Sequence, residues 1–95
     1  MNSKDIGDIS QAMVLAALVK AGKHVLLPFG DNRRYDLVIE EEDGSFVRIQ
    51  VKTGRFKPNG TIHFRTASTY SHRGRKQRHY QGEVDLFAVY VPKNR

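Results

Sequence analysis

An α/β domain, with an N-terminal helix packed on a β-sheet, is the fold class that this 95-residue sequence predicts, and three observations carry it. Apolar residues recur at helical spacing through residues 4–21, period-two alternation takes over between Tyr35 and Val51, and a second alternating run extends from Glu83 to Pro92. In so short a chain the helix has nowhere to bury its apolar stripe except against the sheet.

In the first element, Ile6, Ile9, Met13, Val14, Ala16, Ala17 and Leu18 cluster at helical spacings, Ser3 or Asp5 is placed to cap the start, and Gly22 follows as a stop. Gln11 lies three and four residues before Val14 and Leu15, at the edge of the face turned to the core. His24 to Phe29 is a short apolar run that fits a strand, ended or placed at a sheet edge by Pro28. Gly30 to Arg34 is a loop in which Asp31 and Asn32 suit turn chemistry better than metal binding. Tyr35 to Ile39 is apolar and β-branched apart from Asp36, Glu41 to Gly44 is a polar turn, and Phe46 to Val51 returns in alternation, which makes a hairpin. Lys57-Pro58-Asn59-Gly60 is a further turn, and Thr61 to Arg65 a further strand with Ile62 and Phe64 on one face. Ser68 to Gly82 carries no acidic residue and no apolar periodicity, and reads as a basic loop interleaved with aromatics. Val84, Leu86, Ala88 and Tyr90 alternate with Asp85, Phe87, Val89 and Val91, so both faces of the last strand are largely apolar and a central, buried position is expected.

Composition narrows the function classes. Lys and Arg number 16 against 10 Asp and Glu, a formal charge of +6 with a pI near 9.9, which favours a polyanionic partner. Without cysteine there is neither a disulfide framework nor a thiolate zinc site. The start, MNSKDIGDIS, is polar rather than a signal sequence, and no apolar run is long enough to span a bilayer. The expectation is one small intracellular domain over residues 1–95, cytoplasmic and nucleoid-associated, with no membrane partner.

The hairpin holds the chemistry. In its second strand Val47, Ile49 and Val51 share one face while Arg48, Gln50 and Lys52 share the other. A turn centred near Asp43 sets Asp36 opposite Gln50, so that Asp36, Gln50 and Lys52 project from one patch. A carboxylate is a hard ligand suited to Mg²⁺, a Gln side chain adds a neutral carbonyl oxygen, and a lysine on the same face holds a phosphate or orients an attacking water. An ordinary hairpin with a polar outer face has the same spacing. Arg33 and Arg34 sit where they can meet phosphate, or merely offset the acidic cluster Glu40 to Asp43, which repulsion keeps away from a nucleic-acid backbone. In the basic stretch Tyr70, His72, Arg73, Arg75, Lys76, Arg78 and Tyr80 are candidates for phosphate and base-edge contacts, joined by Arg55 and Arg65. His72 and His79 lack companion ligands and are not read as a metal pair.

Asp36 followed by Gln50-Val51-Lys52 resembles the PD-(D/E)XK nuclease superfamily in its Q-x-K variant. The wording around it, Asp-Ile-Gly at 5–7, Pro-Phe-Gly-Asp-Asn at 28–32, Tyr-Asp-Leu-Val at 35–38, Val-Lys-Thr-Gly-Arg at 51–55 and Gly-Glu-Val-Asp-Leu-Phe-Ala-Val-Tyr at 82–90, is similar to the group I intron-encoded homing endonucleases of that superfamily, over nearly the whole chain. The resemblance implies a restriction-endonuclease-like core, with the N-terminal helix on a mixed β-sheet and a second helix whose place falls in Ser68–Gly82. It implies further elements after Pro92-Lys93-Asn94-Arg95, which looks like the turn of a hairpin. It also implies a Mg²⁺-dependent DNA endonuclease, acting on double-stranded DNA as a homodimer or a dimer of dimers, since one site per subunit cuts one strand. In the family a glutamate of the first helix joins the metal site, and Gln11 stands where that glutamate is expected. The metal set then becomes Asp36, Gln50 and Gln11, with Lys52 completing the catalytic group. A single carboxylate holds a divalent ion weakly, so impaired cleavage is expected; Asp8 is a fallback ligand more at home in solvent. A Holliday-junction-resolvase-like nuclease and a non-catalytic DNA-binding module are the rival readings.

Overall fold

The computed structural model describes residues 1–30, 32–65, 67–69, 77–79 and 82–93, the segments 67–69 and 77–79 by their backbone. The first helix, α1, spans Ser3–Lys20. Its cap is Asn2, one residue before the expected Ser3 or Asp5: the Asn2 Oδ1 accepts from the Asp5 N–H at 2.9 Å, which satisfies one of the helix's orphan donors. At the other end Lys23 N–H reaches Leu18 O and Gly22 N–H reaches Val19 O, both at 3.0 Å, with Gly22 at φ 82°. This is the paired bonding of a Schellman stop, and it requires the left-handed backbone that glycine adopts without strain.

Strands β1 (His24–Leu26), β2 (Leu37–Glu40), β3 (Phe46–Thr53) and β8 (Leu86–Tyr90) form a four-stranded sheet in the order β1-β2-β3-β8. The first three run antiparallel and β8 lies parallel to β3, so the sheet is mixed. Helix α1 covers one face. Leu37, Ile39, Ile49 and Val51 are the buried core, joined by Val14, Leu15 and Leu18 from the helix and by Val25, Val47 and Ala88 from the strands. The alternation of β3 is thus realised as expected: odd positions face the helix, even positions face away.

Three expectations need correction. The strand expected over His24 to Phe29 ends at Leu26, because Pro28 and then Gly30, at φ 86°, turn the chain and leave Phe29 fully exposed. The strand expected over Thr61 to Arg65 is two residues, β5 (Ile62–His63), paired with β4 (Arg55–Phe56) across the turn at Lys57–Gly60. The Ser68–Gly82 stretch is not all loop: β6 (Ala67–Thr69) and β7 (Gln77–His79) pair antiparallel, held by a backbone ladder that needs no apolar periodicity. Among the described residues α1 is the one helix, and most of the place expected for a second one lies outside them.

Strand β8 is at the edge of the sheet, not at its centre, and Leu86 is 46% exposed. Its two apolar faces have separate causes. Ala88 packs into the helix-side core, while on the other side Phe87 meets Phe64 with ring centroids 6.0 Å apart. Gly54 closes this second face. Its N–H donates to Tyr90 O at 2.9 Å, and a Cβ there would lie 2.7 Å from Val89 Cγ1 and 3.1 Å from Ile62 Cγ2. Arg48 fixes the start of the parallel pairing, its N–H donating to Asp85 Oδ2 at 2.7 Å and its guanidinium gripping both oxygens of that carboxylate.

Candidate active site

The β2–β3 register builds the site. Leu37 pairs with Ile49, and the Asp36 N–H continues the ladder by donating to Ile49 O at 2.8 Å, which sets Asp36 beside Gln50. The Gln50 Nε2 donates to Asp36 Oδ2 at 3.0 Å, and the Val51 N–H donates to the same oxygen at 2.8 Å. Burial pushes the Asp36 carboxyl above its ordinary range, opposed in part by the Val51 N–H and by the charge of Lys52. With its amide nitrogen engaged on Asp36, Gln50 turns its Oε1 to a place where that oxygen is buried and has no hydrogen-bond partner. A buried acceptor left in this state is costly, and few such groups occur in a folded protein. Lys52, on the same face of β3 as Gln50, holds its Nζ 5.9 Å from the centre of the Phe87 ring.

Gln11 reaches this corner from α1. It lines a cavity of about 280 Å³ together with Leu27, Pro28, Gly30, Arg33, Tyr35 and Asp36. Helix, loop and hairpin therefore converge on one opening, with an amide, a guanidinium, a phenol and a carboxylate on its wall. The acidic run Glu40–Asp43 lies at the far end of the hairpin, where Asp43 is occupied by the N–H and hydroxyl of Ser45 at 2.9 and 2.7 Å. Asp8 is exposed and sits 3.8 Å from Lys4 one turn away, on the solvent side of the helix.

The model of the PD-(D/E)XK endonuclease family matches residues 1–95. The chain belongs to that family. Among solved structures it is similar to that of the bacterial homing endonuclease I-Ssp6803I, at 29% identity and a TM-score of 0.82, over 98% of this chain and 64% of that one. The chain thus spans under two thirds of the length of that relative. Comparison with curated proteins gives no match.

Nucleases of the PD-(D/E)XK family generally use divalent metal ions. No group of three or more His, Cys, Asp or Glu able to hold a metal occurs among the described residues, so a site built from carboxylates and imidazoles alone is not present there. Hard oxygen donors do stand close together: the Asp36 carboxylate and the Gln11 side chain line one cavity, and the orphaned Oε1 belongs to Gln50, whose amide is bonded to Asp36. Of the arginines singled out in the sequence, Arg33 lines the cavity, whereas Arg34 is largely buried with its Nε 3.4 Å from Glu83. Arg55 and Arg65 are exposed, on and beside the β4–β5 hairpin. Tyr70, His72, Arg73, Arg75, Lys76 and Tyr80 lie outside the described residues, and Arg78 is described by its backbone in β7. Sequence reasoning gave Tyr35 no role at the site, although its place immediately before Asp36 puts it on the cavity wall.

Proposed function

We propose that this chain is the nuclease domain of a site-specific DNA homing endonuclease that hydrolyses phosphodiesters with a divalent metal, Mg²⁺ being suited to its donors. The observation that carries the reading is the buried, unpartnered Gln50 Oε1 beside an Asp36 carboxylate held in place by two donors. Asp36, Gln50 and Gln11 would hold the ion, which supplies Lewis-acid polarisation of the scissile phosphate and an activated water when bound. The two hydrogen bonds to Oδ2 orient the Asp36 carboxylate and leave its other oxygen to be directed into the cavity. Lys52 stabilises the negative charge that develops on the phosphoryl oxygens. Arg33 positions the phosphate at the mouth of the cavity, and the basic residues of 70–80, with Arg55 and Arg65, follow the flanking duplex.

Gln11 offers a neutral oxygen where an anionic one would compensate the cation's charge, so cleavage by this chain is slow. Two copies acting together would cut both strands of a symmetric target. Plasmid cleavage in Mg²⁺ tests the proposal, comparing the chain with its Gln11→Glu variant on DNA bearing a candidate insertion site. The Glu variant is expected to cut while the parent binds and cuts slowly. Binding by both with cutting by neither would leave a non-catalytic DNA-binding module.

A further inference from the structure

The buried polar residue among the described side chains is Ser10, 1% exposed. It points from α1 onto the sheet, where its hydroxyl lies 2.6 Å from Thr53 Oγ1 on β3. The two partners are the immediate neighbours of site residues: Ser10 precedes Gln11, and Thr53 follows Lys52. Elsewhere in the interface the helix meets the sheet through Val14, Leu15 and Leu18 against aliphatic side chains, contacts that attract without fixing position along the strand. The Thr53 end is itself anchored, since the next residue, Gly54, is bonded to Tyr90 O and crowded by Val89 and Ile62.

We infer that the Ser10–Thr53 hydroxyl pair is a positioning device that sets where Gln11 stands relative to Gln50 and Lys52. This rests on the nuclease reading above. A core that needed only filling is served as well by an apolar pair of the same shape, because a buried hydroxyl contributes little net stability when paired and is costly when orphaned. What the hydroxyl pair adds is direction. Site geometry is sensitive at this scale, since a misplacement of about 1 Å is enough to lower activity some 10²-fold.

The test uses the full chain and three variants that remove hydroxyls with little change of shape, Ser10→Ala, Thr53→Val and the two combined, with Thr53→Ser as the conservative control. Stability is read by urea unfolding, and Mn²⁺ affinity by electron paramagnetic resonance of the free ion. Each single substitution breaks the bond and lowers stability, Thr53→Val the more because it leaves the buried Ser10 hydroxyl unpartnered. The double variant removes both hydroxyls and recovers it. If the pair positions the site, Mn²⁺ affinity stays about tenfold weaker in the double variant, a loss typical of groups that orient metal ligands, while Thr53→Ser keeps the parental value. Recovery of Mn²⁺ affinity together with stability in the double variant would overturn the inference and reduce the pair to core filling. A parental chain with no Mn²⁺ binding sensitive to Asp36→Ala would instead sink the nuclease reading, and the positioning role with it.

Discussion

The two faces of β3 are built from alternate residues of the same eight-residue strand and do opposite work. Ile49 and Val51 are buried against α1 and are satisfied by shape alone. Gln50 and Lys52, one residue along in each case, are half-buried among polar and aromatic groups, and one of their atoms, Gln50 Oε1, has no partner. Stability therefore resides on the helix side, while the far side tolerates a raised carboxyl and an orphaned acceptor. Local rules are broken on that side and kept on the other, the pattern expected where a fold carries a functional site.

If this division holds, substitutions on the two sides separate cleanly. Leu37→Ala, at a residue with 0% exposure, is expected to lower the free energy of unfolding by about 2–5 kcal/mol, a large share of the stability available to a small domain. Urea unfolding measures it, and a loss under about 1 kcal/mol would show that the helix side is not the rigid half. Lys52→Ala should do the reverse: cleavage by the Gln11→Glu form falls by about 10²–10³, the range for removing one group that stabilises transition-state charge, with little change in the unfolding midpoint. Equal losses of fold and cleavage would erase the distinction between the faces.

Smaller effects sharpen it through pH. The Asp36 pKa is raised in the folded chain above 3.8, so the folded state binds its proton more tightly than the unfolded state does. Its contribution to stability is full below 3.8 and is lost as pH rises through the folded value. Asp36→Asn is therefore expected to flatten that slope and to be no less stable than the parent at neutral pH, while abolishing the response to Mg²⁺. Asp85 has the opposite sign. The hydrogen bonds from Arg48 hold its carboxyl below 3.8, so its contribution is present above that value and is lost as pH falls through the folded pKa. Asp85→Asn should show a weaker acid transition and a slight drop in the melting temperature, and a pH profile identical to the parent's would discount the clamp.

The hairpin was legible because its signal is local. Alternation assigned the faces of β3, and the polar turn at Glu41–Gly44 set a register that does bring Asp36 beside Gln50. Gln11 could be placed at the edge of the buried helix face for the same reason, and it does line the cavity with Asp36. Signals that depend on distant partners were not legible. Ser10 is a lone hydroxyl inside a helical stripe, and only the sheet beneath supplies Thr53. Arg34 resembled a free phosphate contact until the fold delivered Glu83 to it. The last strand looked central because both faces were apolar, yet Phe64 and α1 cover them without a strand on its outer side among the described residues. Periodicity reports how many faces are covered, not what covers them.

The parallel pairing of β3 with β8 has a kinetic meaning. Arg48 and Asp85, which secure it, are 37 residues apart, whereas α1, β1, β2 and β3 follow one another in the chain and in space. Joining the distant strand requires closing a long loop before any ladder bond is gained. The helix and the antiparallel strands can therefore condense first, carrying Asp36, Gln50 and Gln11 together into a folding nucleus. Strand β8 docks afterwards, and substitutions in it are expected to speed unfolding rather than slow folding. The corner proposed as the active site is then assembled on the earliest part of the molecule to form, and the late strand adds Phe87, whose ring centre lies 5.9 Å from the Lys52 Nζ.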